Sequence, residues 1–180
     1  MAFPHWRSRL FPAPQDPVLA SWLTEPGSLT ARCQAASDSF RIRLLNRGQG
    51  RPIPDESRLF RLRRQQRAWV REVLLECDGV PVIYAHTVLP LLPRGRLARW
   101  LAGLGSRSLG SLLFAHPGFC RGPIQYRRLD RRHPLFARAA NAADVGGADT
   151  LWARRSAHRL GGQTVLVTEV FLPSILRLEA

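Results

Sequence analysis

The chain has 180 residues, 45% of them hydrophobic, which suits a single domain, since a chain of this size hides about 70% of its unfolded surface. Its longest apolar runs, such as Val88 to Leu92, are far too short to cross a bilayer, and residues 1–15 lack the apolar stretch of a secretory signal, so a soluble cytoplasmic protein is expected. All 27 basic residues are arginine, which excludes a Schiff-base lysine, a pyridoxal-phosphate lysine and a P-loop, each of which needs an ε-amino group.

In chain order, residues 1–15 read as a flexible lead. Asp16-Pro17 opens a short helix through Trp22 and Leu23, and Ser28 caps a second beginning at Leu29. Alternation from Ser39 to Leu45, closed by Asn46-Arg47-Gly48, gives the first strand. Arg67 to Cys77 and Val80 to Leu89 flank Asp78-Gly79 and read as a hairpin. Pro90 and Pro93 break the sheet; Leu97 to Leu104 and Ser108 to Phe114 then read as helices, and a strand resumes at Pro123 to Leu129. Ala137 to Asp149, rich in Ala, Gly and Asp, reads as a loop-like insertion. Leu151 to Leu160 and Gln163 to Leu172 flank Gly161-Gly162 as a second hairpin. The sum is a single α+β domain with a six-stranded antiparallel sheet and interposed helices.

Side-chain alternation assigns faces. In the strand ending at Cys77, Arg71 shares a face with Trp69, Val73 and Leu75; in the last strand Glu169 shares one with Val165, Val167 and Phe171. An uncompensated buried charge costs several kcal/mol, so these two groups pair with each other, form a pocket in which Arg71 clamps a carboxylate and Glu169 meets a hydroxyl, or do both at once. If Val82, Tyr84, His86 and Val88 share the pocket face of the second hairpin strand, His86 lies near that site as well.

Other chemistry finds little support. The net charge of +14 points first to polyanions. The arginines are spread along the chain, however, and steering of a small anion explains the charge equally well, so no nucleic-acid partner is expected. Cys33, Cys77 and Cys120 show no C-x-x-C pair and read as reduced thiols. The five histidines form no i, i+4 pair and no H-E-x-x-H, so no metal is expected. Gly103 to Gly110 has Ser108 where a dinucleotide fingerprint needs its third glycine, although the helix start at Ser108 and Leu109 could offer backbone N–H groups to a carboxylate.

Five segments together resemble the chorismate pyruvate-lyase family in order and spacing: Glu25 to Thr30, Trp69 to Val73 before Asp78-Gly79, Leu104 to Gly110, Leu151 to Ser156, and Thr168 to Pro173. The resemblance spans roughly Trp22 to Pro173. It implies a cytoplasmic monomer without a cofactor, in which helical flaps cover a buried site and chorismate becomes 4-hydroxybenzoate and pyruvate for ubiquinone synthesis. It also implies that Arg71 binds the ring carboxylate, that Glu169 contacts the 4-hydroxyl, and that backbone at Leu29 and Leu109 completes the site. Two departures stand out. Ala85-His86-Thr87 replaces the family's small residue followed by Arg, and Pro26 interrupts the usual acidic-glycine start of the first flap. A related sheet also serves as the effector domain of bacterial transcription regulators, so a non-catalytic ligand-binding module is the alternative.

Overall fold

The computed structural model describes residues 5–63, 65–89, 109, 118, 120–160 and 163–178. Asp16 caps α1 (Pro17–Thr24), its Oδ1 accepting from the N–H groups of Val18 at 2.8 Å and Leu19 at 3.3 Å. Ser28 caps α2 (Leu29–Ala35), its Oγ accepting from Ala31 N–H at 3.3 Å. The first strand, β1 (Phe40–Gly50), runs past the expected end at Leu45 because a register shift between Leu44 and Asn46 lets pairing with the next strand continue. A helix not anticipated from the sequence, α3 (Pro54–Leu59), follows.

The hairpin of β2 (Ala68–Cys77) and β3 (Val80–Leu89) turns at Asp78 and Gly79, whose φ values of 51° and 78° are both in the left-handed region that such tight turns require. The expected helices at Leu97 to Leu104 and Ser108 to Phe114 lie, Leu109 apart, outside the described residues, as does Gly161-Gly162. After β4 (Cys120–Arg121) and β5 (Gln125–Asp130) come α4 (Pro134–Ala142), β6 (Thr150–Leu160), β7 (Gln163–Phe171) and a 3-10 turn at Pro173–Arg177.

The strands form one antiparallel sheet of seven, in the order β1-β2-β3-β7-β6-β4, with β5 also paired to β6. Six were expected. The extra strand arises because β4 and β5 occupy successive stretches of the same edge of β6, opposite His158–Arg159 and Thr150–Arg155. Pro123, which has no N–H to give to a ladder, stands between them.

The front of the sheet carries α1, α2 and the 3-10 turn, which pack Trp22, Leu23, Leu29, Cys33 and Ile175 against Val73, Leu75, Ile83 and Phe171. The back carries α4, whose Leu135, Phe136 and Ala139 pack on Leu74, Tyr84, Leu129, Leu151 and Val170. Most of the stretch expected as a loop-like insertion is therefore this core helix and its exit. His133 caps it through Nδ1, and Pro134 supplies its preset first residue. The lead segment is tied down as well. Arg7 exchanges two backbone hydrogen bonds with Tyr126, at 3.0 and 2.7 Å, and Trp6 Nε1 donates to Asp55 at 2.5 Å.

A buried polar cluster fastens the back. Glu56 accepts from Ile53 N–H at the start of α3 and lies 3.1 Å from His86 Nε2 through its other oxygen. The second ring nitrogen of His86 lies 3.1 Å from Glu72 Oε1, which also accepts from Tyr84 at 2.7 Å and from Arg138 of α4 at 3.0 Å. Burial opposes charge on His86, yet Glu56 and then Glu72 raise its pKa. Burial likewise works against the Glu72 carboxylate, but its bonds from His86 and Tyr84 hold it at about 2. The cluster thus clips α3 and α4 to the sheet.

A group whose folded pKa is raised contributes stability that is complete below its unfolded value, about 6.5 for histidine, and is lost as pH rises through the folded value. The stability gap between the protein and His86→Leu is therefore predicted to be widest near pH 6, at about 3 kcal/mol for the buried Glu56 left without its cation, Glu72 keeping Arg138, and to narrow as pH rises. Chemical denaturation of both proteins across that range measures it; a gap independent of pH would contradict the charged state of His86.

Candidate active site

Pairing register brings the charged residues together. Arg71 on β2 stands opposite Thr87 on β3, Thr87 opposite Val167 on β7, and Val167 opposite Ser156 on β6. Two residues along, Val73, Ala85, Glu169 and Arg154 form a second row across the same four strands. All eight line one pocket on the front of the sheet, enclosing about 580 Å³ with its open mouth, within the range of small-molecule sites. The start of α2, from Gly27 to Thr30, and Leu109 form further wall, and Arg121 of β4 closes one side.

Arg71 is 2% exposed. Burial, aided by Arg47, lowers its pKa to about 10, so it remains a cation at neutral pH. The ion pair of Glu169 is with Arg154, three strands over from Arg71: Arg154 Nε donates to Glu169 Oε2 at 2.7 Å. Arg154 is 1% exposed, and its Nη1 also donates to the carbonyls of Leu23 at 3.4 Å and Glu25 at 2.5 Å. One buried guanidinium therefore ties the pocket carboxylate to the end of α1 and so to the segment that carries Gly27 and Ser28.

The far side is built around Ser156. Arg121 Nε donates to Ser156 Oγ at 3.2 Å, and its Nη1 donates to the Pro26 carbonyl at 2.7 Å. Ser156 Oγ lies 3.0 Å from His158 Nε2. Burial and then Arg121 push the His158 pKa down to about 4, so its ring is neutral and can accept the serine proton.

Of the residues expected at the site, Arg71, Glu169, Leu29 and Leu109 line this pocket. His86 does not. Val82 is an extra residue in β3, since Leu75 pairs with Ile83 while Glu76 pairs with Pro81. Such a bulge inverts the faces beyond it. Ala85 and Thr87 consequently face the pocket, while His86 faces back into the Glu56 and Glu72 cluster. Arg121, Ser156, His158 and Thr87 were not anticipated. The alternation of Arg154, Ser156 and His158 along β6 was the available signal, as was the pairing of Arg154 with Glu169 counted back from a two-residue turn. Among the described residues no group of three His, Cys, Asp or Glu side chains is placed to hold a metal.

The sequence profile described as Chorismate lyase matches residues 11–179. The chain belongs to the chorismate lyase family. A probable chorismate pyruvate-lyase of Dechloromonas aromatica is 64% identical over 174 residues, covering 97% of this chain and 97% of that protein. Another, from Aromatoleum aromaticum, is 48% identical over 172 residues, covering 93% and 91%. Solved structures share the fold at low identity. A GntR-family transcriptional regulator from Bacillus cereus is 16% identical, with a TM-score of 0.51 over 78% of this chain and 96% of that one. The effector domain of PhnF from Mycobacterium smegmatis is 17% identical, with a TM-score of 0.50 over 82% and 90%.

For the ion pair that organises this pocket, Arg154→Met is predicted to cost about 3 kcal/mol by leaving Glu169 without its partner, and Glu169→Gln in the same chain to restore part of that loss. Urea denaturation of the two single variants and the double variant gives the coupling; strictly additive losses would mean that the pair contributes nothing.

Proposed function

We propose that this protein converts chorismate to 4-hydroxybenzoate and pyruvate. The observation that carries the reading is the pair of rows across the sheet. They put a buried cation, Arg71, and a carboxylate, Glu169, on one cavity wall with only β3 between their strands and with Val73, Ala85 and Val167 between them as an apolar floor. Neighbouring strands lie about 4.8 Å apart, so the two groups flank a space matched to a ring carrying a carboxylate at one end and a hydroxyl at the other. Family membership supports the same reaction.

In this reading Arg71 grips the ring carboxylate bidentately, Glu169 accepts a hydrogen bond from the 4-hydroxyl, and the backbone at Leu29 and Leu109 completes the grip. The ether bond between the ring and the enolpyruvyl oxygen breaks with its electron pair going to that oxygen, the hydrogen on the neighbouring hydroxyl-bearing carbon departs as a proton, and protonation of the released enolpyruvate at its methylene carbon gives pyruvate and balances the proton lost. Aromatisation drives the change. What the protein supplies is confinement of the reactive conformer in a dry cavity and fixed cations against the developing charge. No cofactor enters this reading. It extends to a cytoplasmic monomer whose product begins ubiquinone synthesis; no helix among the described residues is long and apolar enough to cross a membrane.

Incubation of the purified protein with chorismate is predicted to give equal amounts of 4-hydroxybenzoate and pyruvate by chromatography, with and without a chelator. A folded protein that binds 4-hydroxybenzoate without turnover would instead be a ligand-binding module, the use to which the similar regulator fold is put. Glu169→Gln is predicted to lower kcat about a hundredfold or more. Arg71→Ala is predicted to weaken 4-hydroxybenzoate binding by about a hundredfold, as for loss of a charge-assisted contact of about 3 kcal/mol. Calorimetric titration of Arg71→Ala showing unchanged product affinity would remove Arg71 from the clamp.

A further inference from the structure

We infer that Arg121, set against Ser156 at the β4 and β6 side of the pocket, is the subsite for the substrate's second carboxylate, the one on the enolpyruvyl side chain. This inference rests on the lyase reading and extends it to a part of the substrate that the product lacks.

The register fixes the order of groups across the sheet. Arg71 on β2 comes first, Glu169 on β7 next, Arg154 and Ser156 on β6 beyond it, and Arg121 on β4 at the far edge, paired with His158. With the ring carboxylate on Arg71 and the 4-hydroxyl on Glu169, the ring carbon next to that hydroxyl carries the enolpyruvyl ether. That carbon is meta to the ring carboxylate, so the ether side chain leaves the ring obliquely to the line between Arg71 and Glu169, and in this inference its carboxylate reaches the flank of the pocket formed by β6 and β4. The cations there are Arg154 and Arg121. Arg154 is committed to Glu169 and to the carbonyls of Leu23 and Glu25, which makes it a positioning residue. Arg121 presents its guanidinium to the pocket while Ser156 and the Pro26 carbonyl fix its plane. A planar guanidinium held in this way is suited to a carboxylate.

Charge supports the assignment. Among the described lining residues stand three guanidinium groups and one carboxylate, an excess of two positive charges that matches a dianion better than the monoanionic aromatic product. Burial and then Arg154 work against the charge on Arg121, while Glu169, Tyr126 and Glu25 favour it. His158 is neutral and adds no competing charge. After cleavage the second carboxylate leaves with pyruvate, so Arg121 discriminates substrate from product while Arg71 does not.

Two measurements test this. On the unaltered protein, 3-(carboxymethoxy)-4-hydroxybenzoate, an aromatic probe with an acid on the ether side chain, is expected to bind about tenfold or more tightly than the methyl ester of that side chain. In Arg121→Gln the KM for chorismate is expected to rise about tenfold or more while the Kd for 4-hydroxybenzoate stays within about twofold, and Arg121→Lys should recover much of the loss. Equal binding of acid and ester, or parallel weakening of chorismate and 4-hydroxybenzoate in Arg121→Gln, would overturn the subsite. Failure of the lyase reading is seen separately, as absence of chorismate turnover by the unaltered protein. The acid and ester comparison needs no variant, so it decides the point even where Arg121→Gln does not fold.

Discussion

Everything at the site depends on the register of four antiparallel strands. Because β2, β3, β7 and β6 pair with Arg71 opposite Thr87 and Ala85 opposite Glu169, charges distant in sequence fall on adjacent rows of one face. The bulge at Val82 is the point on which this turns. A slip of one residue in a strand moves each side chain to the other face. Without the extra residue, His86 and Tyr84 would meet the pocket, and Ala85 and Thr87 would be withdrawn from it.

The sheet thereby separates two kinds of buried charge. On the back, His86 stands within ion-pair distance of Glu56 and Glu72, Tyr84 and Arg138 donate to Glu72, and the cluster fastens the helices. On the front, the described cations outnumber the carboxylates, and the cavity stays polar where a ligand would need it and apolar between. This separation also accounts for a departure noted in the sequence. His86 in place of the family's usual arginine answers to carboxylates behind the sheet, so the change bears on how α3 is held and not on the pocket wall.

The front arginines act on the first flap as well as on the cavity. Arg154 holds the carbonyls of Leu23 and Glu25, and Arg121 holds that of Pro26. The two arginines thus hold the connection from α1 to α2, which carries Gly27 to Thr30 into the pocket, by its carbonyl oxygens. Proline at residue 26 fits such a scheme, since its carbonyl is used and its missing N–H is not needed.

The sequence by itself determined the local pieces. Asp16 and Ser28 mark helix starts because their side chains satisfy free N–H groups; Asp78-Gly79 marks a turn because few other pairs adopt two positive φ values; and strict alternation put Arg71 and Glu169 on inward faces. The helix α4 was also signalled, by Pro134 followed by Leu135, Phe136 and Ala139, but its alanine-rich tail resembled a loop in composition. Only the tertiary structure decided which strands meet and which face each presents. Arg154 could be seen as an inward residue of β6, but its bond to Glu169 depends on hairpin pairing and its hold on α1 on a contact 131 residues away in sequence. His86 was misplaced for the same reason: alternation carries a face assignment along a strand only until one inserted residue reverses it, and the bulge at Val82 exists in the pairing with β2, not in any property of valine.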